Sequence, residues 1–349
     1  MICFILGVMR LLFLMACIAS SVQAGTLEEA RAALLAGQYG RAAQLFAPLV
    51  REHPQDTALR LNYGLALQQF GQYAGAEREL SRVVKKLPKN ANAWLLLGLS
   101  FQKREMPERA IAPLRIAVSL APHERFAKLE LADAYLTTGR GAEARDLFQA
   151  LTEEDPQLAK AWQGLGLAHL SIARREPANA AAEEAASHAA FDRLAQLPES
   201  AELHELLADA HQQQGRRQEA VAEWKKASLV EPSTRNMGRY AEALWANRSY
   251  EEAEPILRQV TASEPSNAQW QYLLGDVLFR ERRSEDALPH LVAAVKLKPG
   301  LLAAHAVLGR IYLQLGKPAL AIPHLELGRP TDPEAIAFQI GQARDQVKR

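Results

Sequence analysis

The sequence predicts an all-α solenoid of antiparallel helix hairpins, and three periodic observations predict it. Nine prolines, Pro54, Pro88, Pro122, Pro156, Pro198, Pro232, Pro265, Pro299 and Pro333, recur every 34 residues, except for an interval of 42 before Pro198 and of 33 before Pro265. Alanine stands twelve residues before every one of them: Ala42, Ala76, Ala110, Ala144, Ala186, Ala220, Ala253, Ala287 and Ala321. Twenty-four residues before the proline stand Ala30, Gly64, Gly98, Ala132, Ala208, Ala241, Gly275 and Gly309; in the fifth repeat Gly166 takes this place, counted forward from Pro156. Small residues at two fixed places let two helix backbones approach closely. Large ones eight before the proline (Phe46, Leu80, Leu114, Phe148, Trp224, Leu257, Leu291 and Leu325) fill the space between.

The chain opens with Met1–Ala24, which has no acidic residue and a single cation, Arg10, before the apolar run Leu11 to Ile18. Ser20-Ser21-Val22-Gln23-Ala24 then supplies small or aliphatic residues where a signal peptidase reads, so a secretory signal cut between Ala24 and Gly25 is expected. An uncleaved membrane anchor is the alternative, but Arg10 leaves the segment short of the ~20 apolar residues of a span. Leu14-Met15-Ala16-Cys17 also resembles a bacterial lipoprotein box, with Met15 unusual within it; cleavage there would leave Cys17 lipidated. The expected location is periplasmic or secreted, or membrane-anchored through Cys17. Both cysteines, Cys3 and Cys17, lie in this segment, so a chain cut after Ala24 carries no disulfide and no thiolate.

Nine repeats are expected, at 25–56, 57–90, 91–124, 125–158, 159–200, 201–233, 234–267, 268–301 and 302–333. In the second, Leu59, Tyr63, Ala66 and Leu67 share one helical face, and Gly71-Gln72-Tyr73 forms the turn. Ala76, Leu80, Val83, Val84 and Leu87 make the next stripe, which Pro88 ends. The fifth repeat carries eight extra residues near 173–181, a little over two helical turns, with Pro177 placed to start its second helix at about Ala178. The seventh is one residue short, which predicts a local shift in the stacking. After Asp332-Pro333, residues 334–349 read as a capping helix, with Ile336, Ile340, Ala343 and Val347 inward and Gln339, Gln342, Asp345 and Lys348 outward.

These residues resemble the tetratricopeptide repeat family, whose 34-residue pattern places Trp, Leu-Gly, Tyr, Ala, Phe, Ala and Pro at fixed positions. The third repeat carries Trp94, Leu97-Gly98, Phe101, Ala110, Leu114, Ala117 and Pro122. The eighth carries Leu274-Gly275, Ala287, Leu291, Ala294 and Pro299, and the fifth opens with Trp162 and Leu165-Gly166. The resemblance implies a right-handed superhelix whose first helices line a concave groove, and a non-catalytic role in binding proteins or peptides.

Matching repeat to repeat, the groove-lining side chains implied are Leu61, Asn62, Leu65, Gln68 and Gln69, then Leu95, Leu99, Gln102 and Lys103, then Leu129, Asp133 and Leu136. Later repeats offer Glu205, Asp209, Gln212 and Gln213, then Glu242, then Tyr272, Asp276, Phe279 and Arg280. The groove is expected to be apolar and amide-bearing first, then acidic, with Glu202 adding to the acidic part. It would suit an extended peptide or partner helix with a hydrophobic and a basic part. Chaperone-binding members clamp a terminal carboxylate with Lys and Asn; here Leu61, Leu65, Leu95 and Leu99 stand at those places, so that clamp is not expected.

The remaining chemistry is sparse. The 41 basic and 40 acidic residues give +1, no field for nucleic acid, and no cofactor is expected. The glycines sit at repeat positions rather than in a phosphate-binding loop. His204 and His211 are seven apart, whereas a zinc-protease helix needs four, and His290 and His324 are repeat equivalents. Metal binding and catalysis are therefore not expected, and membrane contact only through a lipid anchor or an uncleaved signal.

Overall fold

The computed structural model describes residues 26–347; the N-terminal segment with Cys17, and Lys348, lie outside the described residues. Among the described residues there is no strand, and no helix is long and apolar enough to cross a membrane. The helices pair in chain order: α1 (26–35) with α2 (Tyr39–Glu52), α3 (Thr57–Gln69) with α4 (Tyr73–Lys86), and α5 (Ala91–Lys103) with α6 (Pro107–Leu120). Then come α7 (Arg125–Thr137) with α8 (Gly141–Glu154), and α9 (Ala159–Arg175) with α10 (Ala180–Ala195). The pairs α11 (Ala201–Gln213) and α12 (Arg217–Val230), and α13 (Thr234–Ala246) and α14 (Tyr250–Ser263), follow. Last are α15 (Ala268–Arg280) with α16 (Ser284–Leu297), α17 (Leu302–Gln314) with α18 (Pro318–Gly328), and the terminal α19 (Pro333–Val347). The chain divides into two compact units, at Ala190 and Phe191, inside α10.

Each hairpin has the same local logic. Six first helices begin on a capping side chain after the proline turn: Asp56, Asn90, Glu124, Ser200, Ser233 and Asn267 each accept a hydrogen bond from a first-turn N–H, while α9 and α17 begin on Leu158 and Leu301 without one. Second helices follow a turn whose key residue has positive φ. It is glycine at Gly71, Gly139, Gly215 and Gly316, but Glu105, Arg248 and Arg282 at the same register.

The small-residue periods become contacts. A Cβ on Gly64, Gly98, Gly275 or Gly309 would come within 2.9, 2.5, 2.6 or 2.7 Å of Leu80, Leu114, Leu291 or Leu325 of the same hairpin. The residue twenty-four before the proline is thus hollowed out for the leucine eight before it. Ala110 and Ala144 are fully buried, as are Ala42, Ala76, Ala253, Ala287 and Ala321.

A polar regularity accompanies them. Six residues after the proline, Arg60, Trp94, Trp162 and Gln271 each donate a side-chain N–H to that proline's carbonyl, at 2.7, 2.8, 2.9 and 3.0 Å, and His305 Nε2 lies 3.0 Å from Pro299 O. Guanidinium, indole, amide and imidazole all serve to satisfy a carbonyl that the ended helix leaves open. The same position often pairs with the residue nineteen further on, as in Arg60–Glu79, His204–Glu223, Gln271–His290 and His305–His324. This accounts for His290 and His324 without a metal.

The fifth repeat slips. The helix expected to begin at about Ala178 begins at Ala180, after a 3-10 turn at Pro177–Asn179, and α9 takes up a further turn. Ala186 is only half-buried, and Ser187, Ala190, Phe191 and Leu194 form the buried stripe instead. The extra length changes which residues of α10 face inward. At the end of the chain, α19 buries Ile336, Ile340 and Ala343. Val347, expected inward, is 52% exposed and Phe338 is 68% exposed, so this helix is less polar outside than its pattern suggests.

Candidate functional site

In the first unit the first helices of successive repeats pack directly, α3 on α5, α5 on α7 and α7 on α9. Leu61, Leu95, Leu129 and Leu136 lie partly buried against the continuous core of this unit. Asn62, Leu65 and Leu99 are half-buried, and Gln69, Lys103 and Asp133 are exposed. Gln68 and Gln102 do something the sequence does not announce. Gln68 Nε2 donates to the Leu96 carbonyl at 3.4 Å, and Gln102 Nε2 to the Glu130 carbonyl at 3.0 Å. Acceptors and donors are both 34 residues apart, so these amides stitch one first helix to the next. Gln68 is buried by this, which removes it from the groove surface expected of it.

Asp133 is open to water yet crowded by protein. That crowding, with Glu130 nearby, pushes its carboxyl up to about 6, against the pull of Lys160.

The second unit keeps the registers and changes the chemistry. Tyr272 and Asp276 are buried, Asp276 at 1% exposure, so neither lines an open groove. Trp245, at the register of Gln68 and Gln102, donates its indole N–H to Asp276 Oδ2 at 2.6 Å; Arg280 Nε donates to the same oxygen at 2.6 Å. Arg280 also lies 5.3 Å from the centre of the Tyr250 ring, and Phe279 is half-buried against the core. Here an indole–carboxylate–guanidinium chain does the stitching.

The acidic character expected of this unit is largely cancelled. Arg235 takes Glu205 in a two-point ion pair at 3.2 and 2.7 Å, Arg239 lies 3.0 Å from Glu242, and Arg280 holds Asp276. Arg280 is among the groove residues expected from the sequence, whereas Arg235 and Arg239 are not. Asp209 and the exposed Glu202 make no ion pair among the described residues, and Asp209 is the one that lines a pocket. Crowding by protein raises its carboxyl pKa, while Arg239 lowers it and Glu205 raises it.

Around Asp209 the packing opens. First helices pack directly as α13 on α15, α15 on α17 and α17 on α19, but α11 and α13 do not pack together in this way. A pocket of about 440 Å³ lies there. It is lined by Asp209 and Gln212 of α11, Gly215 of the turn, Arg217, Ala220 and Trp224 of α12, and Arg239, Glu242, Ala243, Trp245 and Ala246 of α13. Two local causes are visible. The loop before α13 is one residue shorter, since its cap Ser233 follows Pro232 directly, whereas Asp56 and Asn90 stand two residues after theirs. Ala246 also replaces the longer side chains of its register, Gln69, Lys103, Thr137, Gln213, Arg280 and Gln314.

Family models for the tetratricopeptide repeat match residues 33–99, and 95–159, 129–190, 240–301 and 280–336. The chain belongs to the tetratricopeptide repeat family. A crystal structure of the APC/C hetero-tetramer Cut9-Hcn1 matches with a TM-score of 0.50 at 17% identity, over 87% of this chain and 58% of that one. A tetratricopeptide repeat protein from Parabacteroides merdae matches with a TM-score of 0.47 at 15% identity, over 83% and 99% of the two chains. These likenesses concern the fold alone. No curated protein matches the chain.

Within the tetratricopeptide repeat frame, sequence matching reaches three pocket residues, Asp209, Gln212 and Glu242. It misses Trp224, Trp245, Arg217 and Arg239. In the sequence, Trp224 reads as an ordinary apolar stripe residue of a second helix. The available signals are the 33-residue interval and the lone alanine at the Ala246 register. Among the described residues, no three His, Cys, Asp or Glu side chains converge as a metal site would require.

Proposed function

We propose that this tetratricopeptide repeat chain is a non-catalytic scaffold or adaptor of the cell envelope that binds a peptide or partner protein along its first helices. The observation that carries this reading is the open site on α11 to α13, where Asp209 and Gln212 face a pocket with two indoles. At the Gln212 register, Gln68, Gln102 and Trp245 are spent on joining helix to helix, and at the Asp209 register Asp276 is spent in the same way. Polar side chains left uncommitted beside an aromatic-lined pocket are what a binding surface needs. The signal pattern of Met1–Ala24 supports the envelope location, and the box at Leu14–Cys17 supports a second reading, a lipid-anchored part of an envelope assembly or secretion machine.

Photo-crosslinking in the producing cell tests the binding role, with probes at Gln212 and Leu99 and a control at the outward Gln342. The expected result is one protein captured from Gln212 or Leu99 and missed from Gln342. Equal capture at all three, or none from an exported and folded chain, overturns it. The mass of the mature N-terminus separates the two locations: Gly25 means a free chain, a diacylated Cys17 an anchored one.

A further inference from the structure

We propose that the pocket between α11, α12 and α13 is an anchor site for a cationic side chain, an arginine or lysine of the bound polypeptide, with its head on Asp209 and its stem between Trp224 and Trp245. The inference rests on reading the chain as a peptide-binding scaffold and names what that peptide must carry.

The volume, about 440 Å³, lies in the roughly 300–1,000 Å³ range of built small-ligand sites. Its walls suit a long amphipathic side chain. Trp245 has its N–H on Asp276, which leaves its ring carbons to offer the pocket, and Tyr272 meets it edge-on at 6.3 Å. The bond and the ring contact hold the indole in place. Trp224 is 5% exposed, and Ala220, Ala243 and Ala246 add small apolar surface. Indole faces attract cations as well as methylene groups.

The polar groups decide the sign of the ligand. Arg239 is taken by Glu242 through Oε2, so that pair is neutral and leaves Glu242 Oε1 free to accept. Asp209 has no ionic partner of its own, and Gln212 makes no side-chain hydrogen bond among the described residues. Arg217, in the first turn of α12, is the one lining cation without an ion pair among the described residues, and it could favour an anion instead. It is exposed, where water and salt screen an ion pair. Asp209 is exposed as well, yet protein crowds its carboxyl enough to raise its pKa, and it shares the pocket wall with Gln212 and the two indoles, so a cation placed there gains more. A guanidinium or ammonium group would pair with Asp209, donate to the Gln212 carbonyl, and leave its stem on the indoles.

The test uses the full mature chain and blocked single residues as probes. Binding of N-acetyl-arginine amide is followed by tryptophan emission and by NMR line broadening, beside its neutral isostere N-acetyl-citrulline amide and the anionic N-acetyl-aspartate amide. The arginine probe is expected to bind about tenfold more tightly than the citrulline probe, and Asp209→Asn is expected to remove about that factor. Ala246→Gln, which restores the longer side chain of its register without changing charge, is expected to weaken binding as well. Equal affinity for arginine and citrulline, no effect of Asp209→Asn, or preference for the aspartate probe overturns the proposal. Arginine binding with no adduct in cells would break the scaffold reading and spare the pocket. Cellular adducts with no arginine preference would break the pocket assignment alone.

Discussion

The two units run the same hairpin through the same registers, yet they join their first helices differently. In the unit up to Ala190, Gln68 and Gln102 at one register reach a main-chain carbonyl of the next helix. Beyond Phe191, Trp245 at that register reaches a side chain, Asp276, which Arg280 also holds. A backbone acceptor is supplied by any sequence, so an amide can bridge it wherever helices are close. A carboxylate acceptor exists only where three positions agree, and it buries charge. The first arrangement therefore tolerates change, and the second is all-or-none.

The largest expected effect tests that difference directly. Asp276→Ala removes the acceptor of both Trp245 and Arg280 and should cost about 3 kcal/mol, since a buried ionic partner is lost from a shared network. Urea unfolding followed by tryptophan emission would measure it; a loss below about 1 kcal/mol would mean that the chain stitches no more strongly than one amide. In the first unit, Gln102→Ala should cost about 1 kcal/mol. Gln102→Leu should cost less, because Gln102 Oε1 is buried without a partner and leaves with the amide. A larger loss in Gln102→Leu than in Gln102→Ala would break this account.

The smallest effect concerns pH. In the folded chain the Asp133 carboxyl titrates at about 6, above its ordinary 3.8. Between those values the folded state binds more proton than the unfolded one, so this residue lowers stability as pH rises from about 4 to about 6. Its exposure screens the effect to under about 1 kcal/mol. Asp133→Asn should raise Tm at pH 7 and leave it unchanged at pH 3.5. An equal rise at both values would show that the carboxylate charge is not the cause.

Much of the fold was legible in the sequence because each repeat repeats the same constraints. Gly98 and Leu114, sixteen apart, had to meet if the period meant hairpins, and they do. The candidate site was less legible. Gln68 and Gln102 look like groove residues on a helical wheel, and only the spacing between helices turns them inward. Asp276 and Glu205 read as acids of an open groove, and Arg280 and Arg235 convert them into paired ones. Phe338 broke the expectation of a polar cap because one aromatic at 68% exposure is invisible to a pattern of inward positions.

The sequence by itself determined the hairpin, its period and its small-to-large packing, because those depend on neighbours at fixed separations along the chain. Tertiary structure alone decided which polar side chains are spent on holding helices and which are left over. That outcome depends on distances between helices, and a one-residue shortening before α13 and a single alanine at position 246 accompany a pocket between helices that pack directly elsewhere in the same unit.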